Sequence, residues 1–191
     1  MRARNGRECG GVTLVELMVT LGVLAILLVA AIPSFLDYFD RSAVRGAADG
    51  VISLISDARA EAVKNDLDIN IAMAGSGGAW CVGANAASAP SGGNPAPGAI
   101  ACDCSDSSQC FVSGQHLVLA ATDYPGVQAG SSMTALTFDS RLGVVSPLAS
   151  RSLTLTSPRG KYDLAVQVNP LGQARLCVPA SKPSIVGVPS C

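Results

Sequence analysis

Aromatic residues and charges are scarce in this chain of 191 residues, and common catalytic motifs are missing. Aromatic residues make up 4% of the sequence and charged residues 14%, so a core must consist mainly of Val, Leu, Ile and Ala. The only histidine, His116, stands in an apolar run typical of a strand, which disfavours a role as catalytic base. The sequence contains no Gly-x-Ser-x-Gly motif and no glycine-rich phosphate loop followed by Lys. We therefore expect neither an enzyme nor a bound cofactor.

The first eleven residues are basic and lack the apolar core of a complete secretory signal peptide. Arg2, Arg4 and Arg7 oppose one acid, Glu8, so this leader contributes +2 to a formal net charge of −1. The side chains after it therefore sum to −3, a balance that does not indicate a nucleic-acid-binding surface. The basic flank predicts that the N-terminus stays on the cytoplasmic side of a membrane.

A nearly unbroken apolar run follows the leader, with Pro33 at its far end. Residues 12–32 form a stretch of 21, and about 20 are enough to cross a bilayer as a helix. Glu16 is the one acidic residue within this stretch, where a carboxylate costs roughly 2.5 kcal/mol on insertion scales. We expect Glu16 to have a partner and a function, and the chain after Pro33 to lie on the far side of the membrane.

Residues 11–16 read Gly-Val-Thr-Leu-Val-Glu, which resembles the class III signal of type IV pilins and type II secretion pseudopilins. The resemblance implies that a prepilin peptidase cuts between Gly11 and Val12 and methylates the new N-terminal amine. It also implies that Glu16 attracts the amine of an adjoining subunit during filament assembly. The family usually has Phe at the new N-terminus, where this chain has Val12. This difference affects the expected efficiency of methylation more than the resemblance to the family. The alternative is a plain signal anchor that contains a Glu.

Beyond Pro33 apolar residues recur at a helical period as far as Asn65. A helix from Thr13 to Asn65 is expected, apolar all round in its first half and amphipathic in its second. Pro33 should kink or loosen it, and Glu61 and Lys64 stand one turn apart. The predicted divisions are a leader at 1–11, a transmembrane helix at 12–32, an amphipathic continuation of the helix at 33–65 and a β-rich extracytoplasmic domain at 66–191.

After residue 66 the apolar pattern changes to a period of two, which predicts strands. An α+β fold follows, with the long helix packed on an antiparallel β-sheet domain. Trp80 is expected to anchor the core or a loop. Strands are predicted at 69–73, 79–82, 115–120, 135–138, 152–156, 161–168 and 174–178, with a surface loop at 83–98 and a hairpin turn at 157–160.

Six cysteines remain once the leader, which contains Cys9, is removed. An even number in an exported domain favours disulfides, although six cysteines permit fifteen pairings. Our preferred pairing joins Cys177 to Cys191, which leaves four cysteines to cross-link the segment from Trp80 to Phe111. The candidates are Cys81, Cys102, Cys104, Cys110, Cys177 and Cys191.

Two metal interpretations are weaker than the disulfides. Cys102, Cys104 and Cys110 could supply three thiolates to zinc, but the usual paired C-x2–4-C spacing is missing. Asp103 and Asp106 could belong to a loose calcium loop, but regular ligand spacing is missing there too. We therefore expect a solvated, disulfide-linked turn and no metal.

Three internal segments are similar to the GspH/FimT group of minor pilins and pseudopilins: residues 56–64, 136–143 and 172–177. The resemblance implies a structural minor type IV pilin that primes or caps assembly at the filament tip. Its partners would be prepilin peptidase, other minor and major pilins or pseudopilins, and an inner-membrane assembly platform. It would cross the bacterial inner membrane once, with its domain in the periplasm, before entering a pilus or pseudopilus.

Two other functions compete with this one. The first is a minor pseudopilin of type II secretion, although a cysteine-rich domain favours the pilus. The second is DNA capture for transformation, because FimT-like proteins are held to bind DNA through a Gly-Arg-x-Arg motif. Residues 172–175 read Gly-Gln-Ala-Arg, so only Arg175 matches; the other candidate cations are Lys182 in the tail and Arg159 and Lys161 on the predicted hairpin. Phosphate binding requires several cations, so Arg175 is better explained as a solvated strand residue.

Overall fold

The computed structural model describes residues 12–86, 102–104, 106, 109–130 and 135–191. The chain divides into two compact units, Met1–Tyr38 and Phe39–Cys191. The leader predicted at 1–11 and most of the loop predicted at 83–98 lie outside the described residues.

The described part of the chain contains one long α-helix, eleven short strands and a 3-10 turn at Ala121–Asp123. The helix and the strands are α1 (Leu14–Asn65), β1 (Ile69–Ser76), β2 (Ala79–Ala86), β3 (Phe111–Val112), β4 (Gln115–His116), β5 (Val118–Ala120), β6 (Gln128–Ala129), β7 (Ala135–Phe138), β8 (Val145–Ser146), β9 (Arg151–Thr156), β10 (Asp163–Val168) and β11 (Ala174–Cys177).

Within the first unit, α1 has apolar side chains that are exposed on every side. It begins at Leu14, one residue later than predicted, and it continues as a helix through position 33. By length and composition it could cross a membrane. An unbroken apolar surface of this kind requires lipid or other helices around it, because water would solvate it poorly.

Within the second unit, α1 buries one stripe of side chains and exposes the other face. Four of the eight buried positions are alanines, whose small side chains allow close packing of the helix on the sheets. The prediction of an amphipathic second half is confirmed. The buried stripe consists of Val44, Ala47, Ala48, Val51, Leu54, Ile55, Ala58 and Ala62.

The strands form two antiparallel sheets and one small hairpin. The first sheet has the order β5-β2-β1-β7-β8, the second has the order β11-β10-β9-β6, and β3 pairs with β4. Side chains from both sheets and from the helical stripe form one apolar core. This arrangement confirms the predicted α+β fold. The largest fully buried sheet residues include Ile69, Ile71, Leu136, Phe138, Leu153, Leu155 and Leu164.

Several strand predictions were wrong in extent. The β1–β2 pairing runs from Ile69 opposite Ala86 to Ser76 opposite Ala79, so residues 83–86 are strand rather than loop. The strand predicted at 115–120 is divided at Leu117, because β4 pairs with β3 whereas β5 pairs with β2. The strand predicted at 161–168 begins only at Asp163.

Two local predictions are confirmed. Gly160 N donates to Ser157 O at 2.8 Å, which closes the turn between β9 and β10. Trp80 is buried, and its Nε1 donates to Val127 O at 2.9 Å. The indole therefore fixes the segment before β6 against β2.

Candidate functional site

The first turn of α1 contains the acidic residue singled out by the sequence. Thr13 precedes the helix, and its Oγ1 accepts a hydrogen bond from Glu16 N at 3.2 Å. A threonine followed three residues later by glutamate is the pattern of a capping box. The cap satisfies one of the backbone donors that a helix leaves open at its N-terminus. Glu16 thus lies where the helix dipole favours a negative charge.

The surroundings of Glu16 on α1 are apolar and exposed. Val12 and Leu14 are 71% and 75% exposed. The hydroxyl of Thr20 donates to Leu17 O at 2.9 Å, so this polar group is satisfied within the helix. Glu16 is the one charged side chain of the apolar run. Gly11, the residue before the predicted cleavage point, lies outside the described part of the chain.

Two disulfides lie side by side under β2, between Cys81 and Cys104 and between Cys102 and Cys110, with Cα separations of 5.9 and 5.2 Å. A Cβ atom added to Gly83 would lie 2.7 and 2.8 Å from the sulfurs of Cys102 and Cys110. Gly83 is therefore required for the disulfides to pack against the strand.

The zinc interpretation is wrong because its three cysteine sulfurs are in these disulfides. Around the calcium candidates, Asp106 N donates to Asp103 O at 3.1 Å and Gln109 Nε2 donates to Asp106 Oδ2 at 3.0 Å, which describes a hydrogen-bonded turn. Among the described residues, no group of three or more His, Cys, Asp or Glu side chains could hold a metal.

The third disulfide joins Cys177 to Cys191, the pair preferred from the sequence, with a Cα separation of 4.9 Å. Val178 N donates to Pro189 O at 2.8 Å, and Cys191 N donates to Val178 O at 2.9 Å. The covalent bond and the two hydrogen bonds fix the C-terminal tail beside the end of β11.

The structure does not bring the two candidate DNA-binding cations together. Arg175 donates through Nε and Nη2 to Gln167 Oε1, at 3.2 and 3.0 Å, from the edge strand β11. Lys182 Nζ lies 3.3 Å from Asp163 Oδ1 and donates to Gly160 O at 2.9 Å. Gln167 and Asp163 lie towards opposite ends of β10. Arg175 and Lys182 therefore do not form a joint phosphate site.

His116 lies on a strand, β4, as predicted, and its side chain is exposed. Its ring centroid is 5.0 Å from that of Phe111 across the β3–β4 hairpin. The pair stabilises the hairpin by a ring contact.

Comparison with known families shows to which family the chain belongs. The prokaryotic N-terminal methylation motif matches residues 6–32, and the type II transport protein GspH matches residues 47–172. The second match covers more than half of the chain. The chain belongs to the GspH family. Members of this family of pilins and pseudopilins are structural subunits without catalytic activity, and an N-terminal methylation motif is typical of subunits processed by a prepilin peptidase.

Two solved structures of the type IV minor pilin FimU of Pseudomonas aeruginosa are similar to this GspH-family chain. The first, in space group P21, is 19% identical over 76% of this chain and 95% of that chain, with a TM-score of 0.46. The second, in space group P65, is 20% identical over 72% of this chain and 94% of that chain, with a TM-score of 0.43. No curated protein matches the chain.

The three internal segments that resemble the GspH family meet at one place in the second unit. Arg59 Nε, from α1, donates to Gly143 O at 2.8 Å, after β7. Gly172 has a φ of +78°, and an added Cβ would lie 2.5 Å from Gly143 O and 2.9 Å from the Phe138 ring. Asp139 Oδ1 accepts hydrogen bonds from the backbone amides of residues 141 and 142, which shapes the turn between Asp139 and Gly143. Arg59 therefore fixes α1 to the two loops that contain Gly143 and Gly172. The sequence did not predict this role of Arg59.

Proposed function

We propose that this GspH-family protein is a minor type IV pilin that primes or caps pilus assembly at the filament tip. The observation that carries the proposal is the position of Glu16, in the capped first turn of an apolar helix that is exposed on every side. Such a helix is suited to packing among other helices, and a carboxylate at its N-terminus is suited to binding an amine.

In this proposal the subunits assemble by non-covalent association, and the β-domain catalyses no reaction. A prepilin peptidase cuts after Gly11, which leaves Val12 with a free, methylated amine. Glu16 of one subunit then attracts the Val12 amine of its neighbour. The attraction is strong because both charges lie among apolar side chains, where the dielectric is low. The β-domain contributes lateral contacts to other pilins.

The proposed topology follows from the same elements. Residues 1–11 are a leader on the cytoplasmic side, residues 12–32 cross the inner membrane, residues 33–65 continue the helix, and residues 66–191 form the periplasmic domain. The assembly platform of the inner membrane then transfers the subunit into the pilus. The basic residues of the leader, Arg2, Arg4 and Arg7, support this orientation.

A pseudopilin of type II secretion is the second candidate, supported by the match of residues 47–172 to a type II transport protein. Surface pili counted on a deletion strain and on the same strain after complementation distinguish the two. Loss of pili that complementation restores supports the minor pilin. Unchanged piliation with impaired secretion of type II substrates supports the pseudopilin.

A further inference from the structure

Two arginines, Arg151 and Arg175, line the same cavity of about 180 Å³ at one end of the second sheet. Arg151 lies opposite Val168 in the β9–β10 pairing, and Arg175 lies opposite Gln167 in the β10–β11 pairing. Because β9 and β11 flank β10, the sheet brings together two cations that are distant in the sequence. We call this site the two-arginine cavity.

The hydrogen bonds of both arginines go to uncharged acceptors. Arg151 Nε donates to Ala135 O at 3.4 Å, and Arg175 donates through Nε and Nη2 to Gln167 Oε1 at 3.2 and 3.0 Å. A guanidinium group has five N–H donors and always carries its charge. These contacts therefore orient the two groups, leave donors available and do not neutralise them.

No carboxylate in the described part of the chain pairs with either arginine of the cavity. The chain has 14 acidic residues, and all of them except Glu8 of the leader belong to that part. Four other cations of the Phe39–Cys191 unit each lie between 2.9 and 3.9 Å from a carboxylate: Arg45, Lys64, Arg159 and Lys182. The two-arginine cavity is thus a positive site on a mature chain whose side chains sum to −3.

The turn between β10 and β11 places an exposed leucine beside this cavity. Asn169, which begins the turn, also lines the cavity. Gly172 N donates to Asn169 O and Gln173 N donates to Asn169 Oδ1, both at 2.9 Å, so the turn has a fixed shape. Within it Leu171 is 60% exposed. An exposed apolar side chain next to arginines is typical of a protein–protein interface, where arginine is enriched.

We propose that the two-arginine cavity binds an aspartate or glutamate side chain of a neighbouring subunit, while Leu171 contacts apolar side chains beside that carboxylate. The planar guanidinium group matches a carboxylate through two parallel hydrogen bonds. The proposal rests on the proposed function in one respect, namely that the chain assembles with other subunits that carry an N-terminal methylation motif.

A protein carboxylate fits this cavity better than a nucleic acid does. Proteins that bind single strands stack the bases on aromatic side chains, and none of the described residues that line the cavity is aromatic. A phosphate backbone is bound by several cations along its length, whereas this site contains two. One carboxylate can be bound by both guanidinium groups at once.

Photo-cross-linking of the full chain in the bacterium that produces it tests the proposal. The photoreactive residue p-benzoylphenylalanine replaces Leu171, and mass spectrometry identifies the cross-linked peptide. We expect the peptide to come from another subunit with an N-terminal methylation motif and to contain Asp or Glu. Val186, which is 85% exposed, is the control position. Arg45 Nη1 donates to Val186 O at 3.2 Å, and Arg45 precedes Arg59 by fourteen residues of α1, or about 21 Å of helix.

Charge reversal then tests the ion pair itself. Arg175→Glu should lower the yield of the Leu171 cross-link roughly tenfold, since it replaces an attraction by a repulsion. Arg45→Glu, which reverses an exposed arginine beside the control position, should leave the yield unchanged. Replacing the acid of the cross-linked partner peptide by arginine should restore the yield with Arg175→Glu. Thermal unfolding of each purified variant verifies that it is folded.

Four results would overturn the proposal. They are no cross-link from position 171, a cross-link to a second copy of this chain, the same partner at equal yield from position 186, and an equal loss in Arg175→Glu and Arg45→Glu. Binding of a fluorescent oligonucleotide to the purified mature chain, abolished by Arg175→Glu, would instead assign the cavity to nucleic acid and would also overturn it. Failure of the pilus function is distinguishable, because a cross-link to a secretion pseudopilin contradicts the pilus and supports the cavity.

Discussion

The carboxylate of Asp40 accepts a hydrogen bond from Arg159 Nε at 2.9 Å, and the two side chains differ sharply in burial. The Asp40 side chain is 5% exposed whereas that of Arg159 is 43% exposed. The contact joins α1 to the turn between β9 and β10, which are 119 residues apart in the chain. A buried carboxylate requires such a partner, because desolvation is costly for an unpaired charge.

Arg159→Gln should destabilise the protein by about 1–3 kcal/mol, since it leaves the buried carboxylate of Asp40 with less compensation. Thermal unfolding of the full chain in neutral detergent measures the change. Adding Asp40→Asn to Arg159→Gln should restore part of the loss, because the buried group is then neutral. Arg141→Gln, at an exposed turn position, is the control with no expected change. Equal stability of Arg159→Gln and the wild type would contradict the assignment.

Gly172→Ala should lower stability by about 2–4 kcal/mol, because the left-handed backbone costs about 1–2 kcal/mol and the added Cβ also collides with its surroundings. The nearest atoms are Gly143 O at 2.5 Å and the Phe138 ring at 2.9 Å. Gly160→Ala is the matched control, since its φ is +70° and nothing lies within 4 Å of the added atom. The difference between the two variants isolates the collision, and no difference would show that the close approach is unimportant.

Replacing both Cys177 and Cys191 by serine should reduce stability by about 2–4 kcal/mol, since the disulfide closes a loop and limits the unfolded chain. The separation of the two cysteines is 14 residues. The tail should also become sensitive to limited proteolysis between residues 179 and 190, and mass spectrometry of the fragments locates the cuts. A tail that stays resistant at wild-type stability would mean that its hydrogen bonds suffice.

The pKa of the Glu61 carboxyl lies below its ordinary value of 4.5, mainly because Lys64 Nζ donates to Oε1 at 3.0 Å. Asn65 Nδ2 also donates to Oε2, at 2.6 Å, and to Ser113 Oγ, at 2.8 Å. The folded pKa is lowered, so this contribution to stability is present above the unfolded pKa and is lost as pH falls through the folded one. NMR titration of the Glu61 carboxyl should therefore give a midpoint below 4.5. In Lys64→Gln it should return towards 4.5, and a wild-type midpoint at or above 4.5 would contradict the contact.

The sequence predicted the elements whose periodicity extends over many residues. The amphipathic stripe of α1 and the strand at 135–138 follow the periodicity of their buried side chains, and the apolar run is recognised by its length and composition. The break at Leu117 could not be predicted in this way. Leu117 O accepts from Ala84 N and Leu117 N donates to Cys110 O, so the chain changes its pairing partner there. The apolar side chains at 117–120 do not indicate which strand pairs with which part of the segment.

Among the site residues, those that interact with close neighbours in the sequence could be predicted, and those that interact with distant positions could not. Thr13 and Glu16 could be paired from their spacing, because a helix cap is a local feature. The contact between Arg59 and Gly143 joins positions 84 residues apart, and no spacing rule predicts it. The pairing of Cys177 with Cys191 could be predicted because the two cysteines are close in the sequence and close a short loop. The connections among Cys81, Cys102, Cys104 and Cys110 depended on the fold of β2.

Recovery of the Glu16→Ala variant in sheared pili tests the central claim most directly. The variant retains the apolar run, so membrane fractions should contain it at the wild-type level. Without the carboxylate, the attraction to the Val12 amine of a neighbouring subunit is lost, and sheared pili should lack the variant. Glu61→Ala, which removes an acid from the far end of the same helix, is the control and should enter pili normally. Wild-type recovery of Glu16→Ala in sheared pili would contradict the account.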